Sequence, residues 1–243
     1  MSISSNNSRH LDIGCGRIPR NPFECDELHG IDVMDIQLTG CSYKQVNVVT
    51  EKLPYTDSYF DSVSAYDFLG IIPRSAISNN TMRFPFIELM NEIYRVLKPG
   101  GIFYAISPYY PRNEAFVDPT YVNFIAKRTH RYFTLPNLTA SVYGFNGKFS
   151  TIQVRPVKAS MVGKKEHSPW IVRFMKNVIY TVLYTKRTHI IWKFKAIKNQ
   201  KRVIPFLLTL FLMPNHIATS IFKKNQPSSY SFNAYGNNKC LIY

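Results

Sequence analysis

The chain is poor in acidic residues, in paired cysteines and in long apolar runs, and each shortage removes a class of function. Fifteen Asp and Glu stand against thirty Lys and Arg, a formal net charge of +15. The imbalance is local. Between residues 155 and 201 Glu166 is the only acid, and none follows it, whereas the first half is close to balanced. A basic second half implies an acidic partner such as anionic lipid, nucleic acid or a phosphorylated substrate, with a solvated basic surface as the plain alternative. The four cysteines, Cys15, Cys25, Cys41 and Cys240, form no C-x-x-C pair and lie near no histidine cluster. That argues against a zinc site and a disulfide framework. Residues 1–8 have no apolar core, so they do not read as a secretory signal, and a cytoplasmic location is expected. Residues 203–222 carry no charge, but Pro205, Pro214, Asn215 and His216 interrupt them. The apolar part, 206–213, is too short to span a bilayer. It reads as a segment lying at the inner membrane face or as a helix packed on the domain's own surface.

What remains is ample for one α/β domain: 243 residues, 45% hydrophobic. Strands are expected at 9–13, 29–34, 43–49, 60–66, 102–107, 148–157 and 189–196. Apolar residues recur at helical spacing over 84–97, and Lys98-Pro99-Gly100-Gly101 stops that helix. A second amphipathic helix with a basic polar side is expected over 169–184. Residues 108–147, rich in aromatics, Pro and Asn, read as a segment inserted on the substrate side. The order of elements predicts a mostly parallel sheet.

The most informative run is Leu11-Asp12-Ile13-Gly14-Cys15-Gly16. A strand entering a G-x-G turn needs glycine because the chain reverses sharply and a side chain would keep a ligand from the backbone. Asp32 comes 16 residues after Gly16, at the end of the next strand, where a carboxylate can hold two ribose hydroxyls. A dinucleotide site would carry a third glycine to seat the pyrophosphate; Pro19 stands there instead, followed by Arg20. A nucleoside ligand without phosphates fits this turn better.

Four segments in order then resemble the class I S-adenosylmethionine (SAM)-dependent methyltransferases of the type 11 kind. They are residues 11–16, Gly30-Ile31-Asp32, Leu53-Pro54-Tyr55 with Phe60-Asp61, and residues 92–101. The resemblance implies a Rossmann-like α/β fold, a mostly parallel seven-stranded sheet flanked by helices. It covers about residues 9–198, leaving 199–243 as a basic and apolar helical C-terminal extension. Arg83-Phe84-Pro85-Phe86, Asp118-Pro119-Thr120-Tyr121-Val122 and the run 143–149 are similar to a bacterial branch linked to sugar and cell-surface glycan biosynthesis.

The same resemblance implies a cofactor and a set of site residues. S-adenosyl-L-methionine is the expected cofactor. Asp12, Gly14, Cys15 and Gly16 would line its methionine end, Asp32 its ribose and Asn47 its adenine, where the family often has an acid. Two departures matter. The family's Glu-His after the fourth strand is here Gly70-Ile71, and the histidine of its Asp-Pro-Thr-His run is Tyr121. Candidates for a general base are therefore Asp67, Asp118, Tyr121 and His130, with Asp118 equally a turn residue and Tyr121 equally core. The expected activity is O-methylation of a sugar, glycan or lipid-linked saccharide, with peripheral contact to an anionic membrane. Two alternatives stay open: a catalytically degenerate binding protein, favoured by the lost Glu-His, and a nucleic-acid methyltransferase. Against the latter, Ser107-Pro108-Tyr109-Tyr110 only partly echoes the motif used for base amino groups.

Overall fold

The computed structural model describes residues 7–78, 80–159 and 187–198. The helix expected over 169–184 and the extension 199–243 lie outside the described residues. Seven strands form one sheet: β1 (Arg9–Ile13), β2 (Glu27–Asp32), β3 (Ser42–Gln45), β4 (Phe60–Tyr66), β5 (Leu97–Pro108), β6 (Phe149–Val157) and β7 (His189–Ala196). Their spatial order is β3-β2-β1-β4-β5-β7-β6. The first five run parallel, and β7 enters antiparallel between β5 and β6. This confirms the mostly parallel seven-stranded sheet.

One face of the sheet is apolar. Leu11, Ile13, Val63, Ala65, Phe103, Ala105, Trp192 and Phe194 point into the main core. Helix α1 (Pro85–Val96) supplies Phe86, Leu89, Met90, Ile93 and Val96 to the same core, the periodicity read from the sequence. Pro85 opens the helix at a position where its missing N–H costs nothing. The opposite face is polar at its centre, where His10 and Asp12 pair with Ser62 and Ser64 across β1 and β4.

The connections are shorter than in a doubly wound sheet flanked by helices throughout. Between β1 and β2 the chain forms turns and no helix. Phe23 from that connection sits 5.8 Å from His10 and edge-on to Tyr104. Arg20 lies over the Tyr66 ring at 4.4 Å. A short loop thus covers sheet surface that a crossover helix ordinarily covers. Between β4 and α1 come a 3-10 turn at Leu69–Ile71 and a small hairpin, Ala76–Ser78 with Thr81–Arg83. The inserted segment begins with a one-turn helix at Glu114–Val117, followed by 3-10 turns at Thr129–Tyr132 and Thr139–Tyr143.

Candidate cofactor and acceptor site

Ligands of parallel α/β sheets bind at the carboxyl ends of the strands. Here that edge brings together Gly14, Gly16, Asp32, Asp67, Ser107 and, through the antiparallel entry of β7, His189.

The glycine turn is held from both sides. Gly14 and Cys15 donate their N–H groups to Ile31 O, and Gly16 N donates to Asp32 Oδ2 at 2.9 Å. Asp32 Oδ1 also accepts from Met34 N at 3.3 Å. Gly14 and Gly16 both have positive φ, +66° and +56°. A Cβ on Gly14 would meet the Phe68 ring at 2.1 Å, whereas a Cβ on Gly16 would meet nothing within 4 Å. Gly14 is therefore required by packing. Gly16 leaves open space beside a half-buried carboxylate, the cradle a nucleoside needs. The Cys15 Sγ is buried against Gly30, and desolvation, with Asp12 and Asp32 nearby, pushes the thiol up to about 12, out of reach as a nucleophile.

Asp12 is fully buried, and both its oxygens are used within the chain. Oδ1 accepts from Ser64 Oγ at 2.6 Å and Oδ2 from Arg20 N at 2.8 Å. Ser64 gives its proton to Asp12, so it must accept from His10 Nε2, 2.8 Å away. His10 Nδ1 then accepts from Ser62 Oγ at 2.7 Å. Burial pushes the Asp12 carboxyl up to about 6, partly offset by Ser64 and Arg20, and pulls the His10 imidazole down to about 4. Asp12 thus ties the far side of the glycine turn to β4. Asn47 is exposed; its Oδ1 accepts from Val49 N and its carbonyl from Thr50 N and Glu51 N, which makes it the hinge of the turn after β3.

The four acceptor-side candidates separate. Asp118 is exposed and accepts from both Thr120 N and Thr120 Oγ1, contacts that hold its carboxyl below the usual range. It is a turn residue and a weakened base. His130 donates Nδ1–H to Lys127 O on its 3-10 turn, and burial lowers its basicity. Asp67 and Tyr121 are brought together. The Tyr121 ring lies against Gly70, where a Cβ would stand 3.2 Å from it, and its hydroxyl donates to Asp67 O at 3.3 Å. Val122 N and Asn123 N both donate to Gly70 O. The two departures from the family pattern, Gly70 and Tyr121, thus form one contact: the residue without a side chain makes room for the ring. Burial and the nearby Asp67 and Asp118 push the Tyr121 hydroxyl up to about 12.

Asp67 has φ +52°, a left-handed conformation unusual for a residue with a side chain. Its side chain is 42% exposed, yet Oδ1 is buried without a hydrogen bond; His189 Nε2 stands 3.4 Å away. His189 Nδ1 in turn lies 2.8 Å from Thr188 Oγ1. Ser107 Oγ, on the neighbouring strand, is likewise buried and unpaired among the described residues. Sequence reading did not single out Thr188 and His189, which only the antiparallel entry of β7 brings to the edge, nor Ser107, which stands at the carboxyl end of the parallel strand β5.

Beyond the 3-10 turn at Leu69–Ile71 lies a cavity of about 500 Å³, lined by Arg74, Phe84, Phe124, Tyr132, Phe133 and Tyr143 among others. Arg74 Nε donates to Asn123 Oδ1 at 3.2 Å, and its guanidinium lies 5.2 Å from the Phe124 ring centroid. Asn123 Nδ2 donates to Leu69 O, which ties this wall to the turn after Asp67. Among the described residues no group of three or more His, Cys, Asp or Glu is placed to hold a metal ion. No helix among them is long and apolar enough to cross a membrane.

Part of the chain is similar to known proteins. Residues 11–105, from β1 to the middle of β5, match the family model described as a methyltransferase domain. A comparison with curated proteins finds no match. Among solved structures, the chain is similar to a SAM-dependent methyltransferase from Archaeoglobus fulgidus (16% identity, TM-score 0.46, covering 78% of this chain and 86% of that one). It is also similar to the N-methyltransferase NodS of Bradyrhizobium japonicum in complex with S-adenosyl-L-homocysteine (11% identity, TM-score 0.43, 79% of each chain). The open space at Gly16 and the carboxylates of Asp32 and Asp67 at the strand ends suit a sulfonium-bearing, phosphate-free nucleoside. Residues 11–105 thus match a methyltransferase domain, the family for which S-adenosyl-L-methionine is the expected cofactor.

Proposed function

We propose that the protein transfers a methyl group to a hydroxyl of a sugar, glycan or lipid-linked saccharide. The observation that carries this reading is the aromatic cavity whose wall residue Asn123 is tied to Leu69, two residues after Asp67. Rings offer flat apolar faces to the C–H surfaces of a pyranose, while Arg74 and Asn123 offer donors and an acceptor to its hydroxyls. The cofactor supplies an activated methyl carbon. The chain's own residues do the rest. Gly16 and Asp32 seat the nucleoside, Asp12 keeps the turn rigid, and the segment 118–123 closes over Gly70 to exclude water. Of the four candidates, Asp67 is the one placed at the strand ends with an exposed carboxylate oxygen, and it is the base we assign. The basic second half favours an acceptor carrying phosphate, or residence at the anionic inner face of a membrane.

The test has two parts. Calorimetry with S-adenosyl-L-homocysteine should show one site, lost in Asp32→Ala; absence of binding at millimolar ligand rejects the enzyme. Transfer of labelled methyl should then be measured against a panel of free saccharides, polyprenyl-phosphate saccharides and RNA. Label on RNA alone would replace the saccharide reading with a nucleic-acid one.

A further inference from the structure

We propose that His189, backed by Thr188, is the positioning residue for the Asp67 carboxylate, and that these three side chains form a proton-handling unit spanning β4 and β7. The inference rests on the assignment of Asp67 as base. Four observations carry it. Asp67 Oδ1 is buried and lacks a hydrogen bond, a state native structures rarely leave unexplained. His189 Nε2 stands 3.4 Å from it, within ion-pair range but not aligned for a hydrogen bond; such contacts often tighten only when substrate binds. His189 is itself buried, with its second nitrogen 2.8 Å from Thr188 Oγ1. Asp67 also holds a left-handed backbone, a strain that clusters at functional sites.

The proton inventory is set by the partners. An ionised carboxylate only accepts, so Nε2 carries the hydrogen that faces Asp67. In the neutral ring Nδ1 then accepts from the Thr188 hydroxyl. Thr188 fixes the tautomer, His189 fixes Oδ1, and the lone pairs of Oδ2 are left for the acceptor. In the step itself the acceptor oxygen forms a C–O bond to the methyl carbon as the C–S bond breaks. The bonding pair stays on sulfur, and the hydroxyl proton passes to Asp67 Oδ2.

Ring ¹⁵N spectra of histidine-labelled full-length protein test the geometry without any acceptor. His189, identified by its loss in His189→Gln, should show the Nε2–H tautomer alone in the wild type. Asp67→Gly relieves the left-handed strain and so keeps the fold; in it and in Thr188→Val the signal should move toward a mixture of tautomers. Unchanged His189 shifts in both variants overturn the unit. With an acceptor from the saccharide panel, His189→Leu should lower kcat tenfold or more, with homocysteine-analogue binding and KM within twofold. His189→Gln, which keeps a donor near Nε2, should recover most of that loss. Equal kcat in all three proteins also overturns the proposal. Failure to bind S-adenosyl-L-homocysteine in the wild type would instead reject the methyltransferase reading on which it rests.

Discussion

At the scale of single residues, the buried pair His10 and Asp12 gives a pH signature that neither would give alone. Asp12 is raised by burial from the ordinary 3.8 to about 6, so its neutral form is favoured in the folded state. Its stabilising contribution is whole below pH 3.8 and is lost as pH rises to 6. His10 is lowered from 6.5 to about 4, so its contribution is whole above pH 6.5 and is lost as pH falls to 4. Each displacement corresponds to about 3 kcal/mol, and the signs oppose. Wild-type stability should therefore change little between pH 4 and 6.5 on account of this pair. Asp12→Asn removes one side of the balance. Beyond the pH-independent cost of the hydrogen bond that the amide nitrogen cannot accept, it should show a fall of about 3 kcal/mol on acidification toward pH 4, in urea titrations at several pH values. A variant whose stability stays flat would show that the two groups do not titrate as their burial demands.

Legibility from sequence also divides at this scale. Asp32, Gly14 and Gly16 can be singled out as candidates because their demands are local: a turn, a positive φ, a carboxylate one strand on. Asp67 can be singled out as a candidate because it follows a strand end. His189 cannot be, since its meaning comes from a partner across two strands and an antiparallel reversal that no local pattern announces. Asn47 and Asp118 are polar residues at turns, and the structure shows each satisfying its own backbone neighbours. Sequence cannot separate that use from a ligand contact, because the same side-chain oxygen serves both.

At the scale of elements, β1, β4 and β7 begin and end where periodicity places them. β3 stops at Gln45, four residues short of the expectation, because Asn47 turns the chain there. β5 starts five residues early, at Leu97, because a register shift with β4 lets the chain re-enter the ladder around Gly100, which sits at φ +80°. The segment 118–123 docks on the 3-10 turn through Tyr121 on Gly70, and that contact is open to a double-mutant cycle. Gly70→Ala places a methyl 3.2–3.4 Å from the ring and should cost about 1–3 kcal/mol as an overpacked contact. In a Tyr121→Ala background the same change should cost almost nothing. Thermal denaturation of the four proteins decides it: additive effects would show that ring and glycine are adjacent without being coupled.

For the molecule as a whole, charge is the property that the sheet alone does not explain. The excess of Lys and Arg lies after residue 108 of the sequence, whereas the glycine turn lies in the balanced first half. We propose that an anionic lipid surface is what this excess meets. Full-length protein should float with vesicles containing anionic phospholipid and not with neutral ones, and should release as salt is raised several-fold. Equal flotation on both vesicle types would point to apolar insertion instead.

The helix-free link between β1 and β2 has a kinetic consequence. The two strands pair with a sequence separation of only 18, against 52 for β1 with β4. Loop-closure entropy grows with separation, so the shorter pairing is the easier to nucleate. The hydrogen bond from Gly16 to Asp32 lies within that pairing, at a separation of 16. The proposed nucleoside grip is therefore assembled by a local parallel contact, exceeded in the sheet only by β2 with β3, where His29 pairs with Ser42 at a separation of 13. The Asp67–His189 edge must wait for the last of the described strands to arrive. A nascent or partly unfolded chain would hold the means to capture its cofactor before it holds the means to use it.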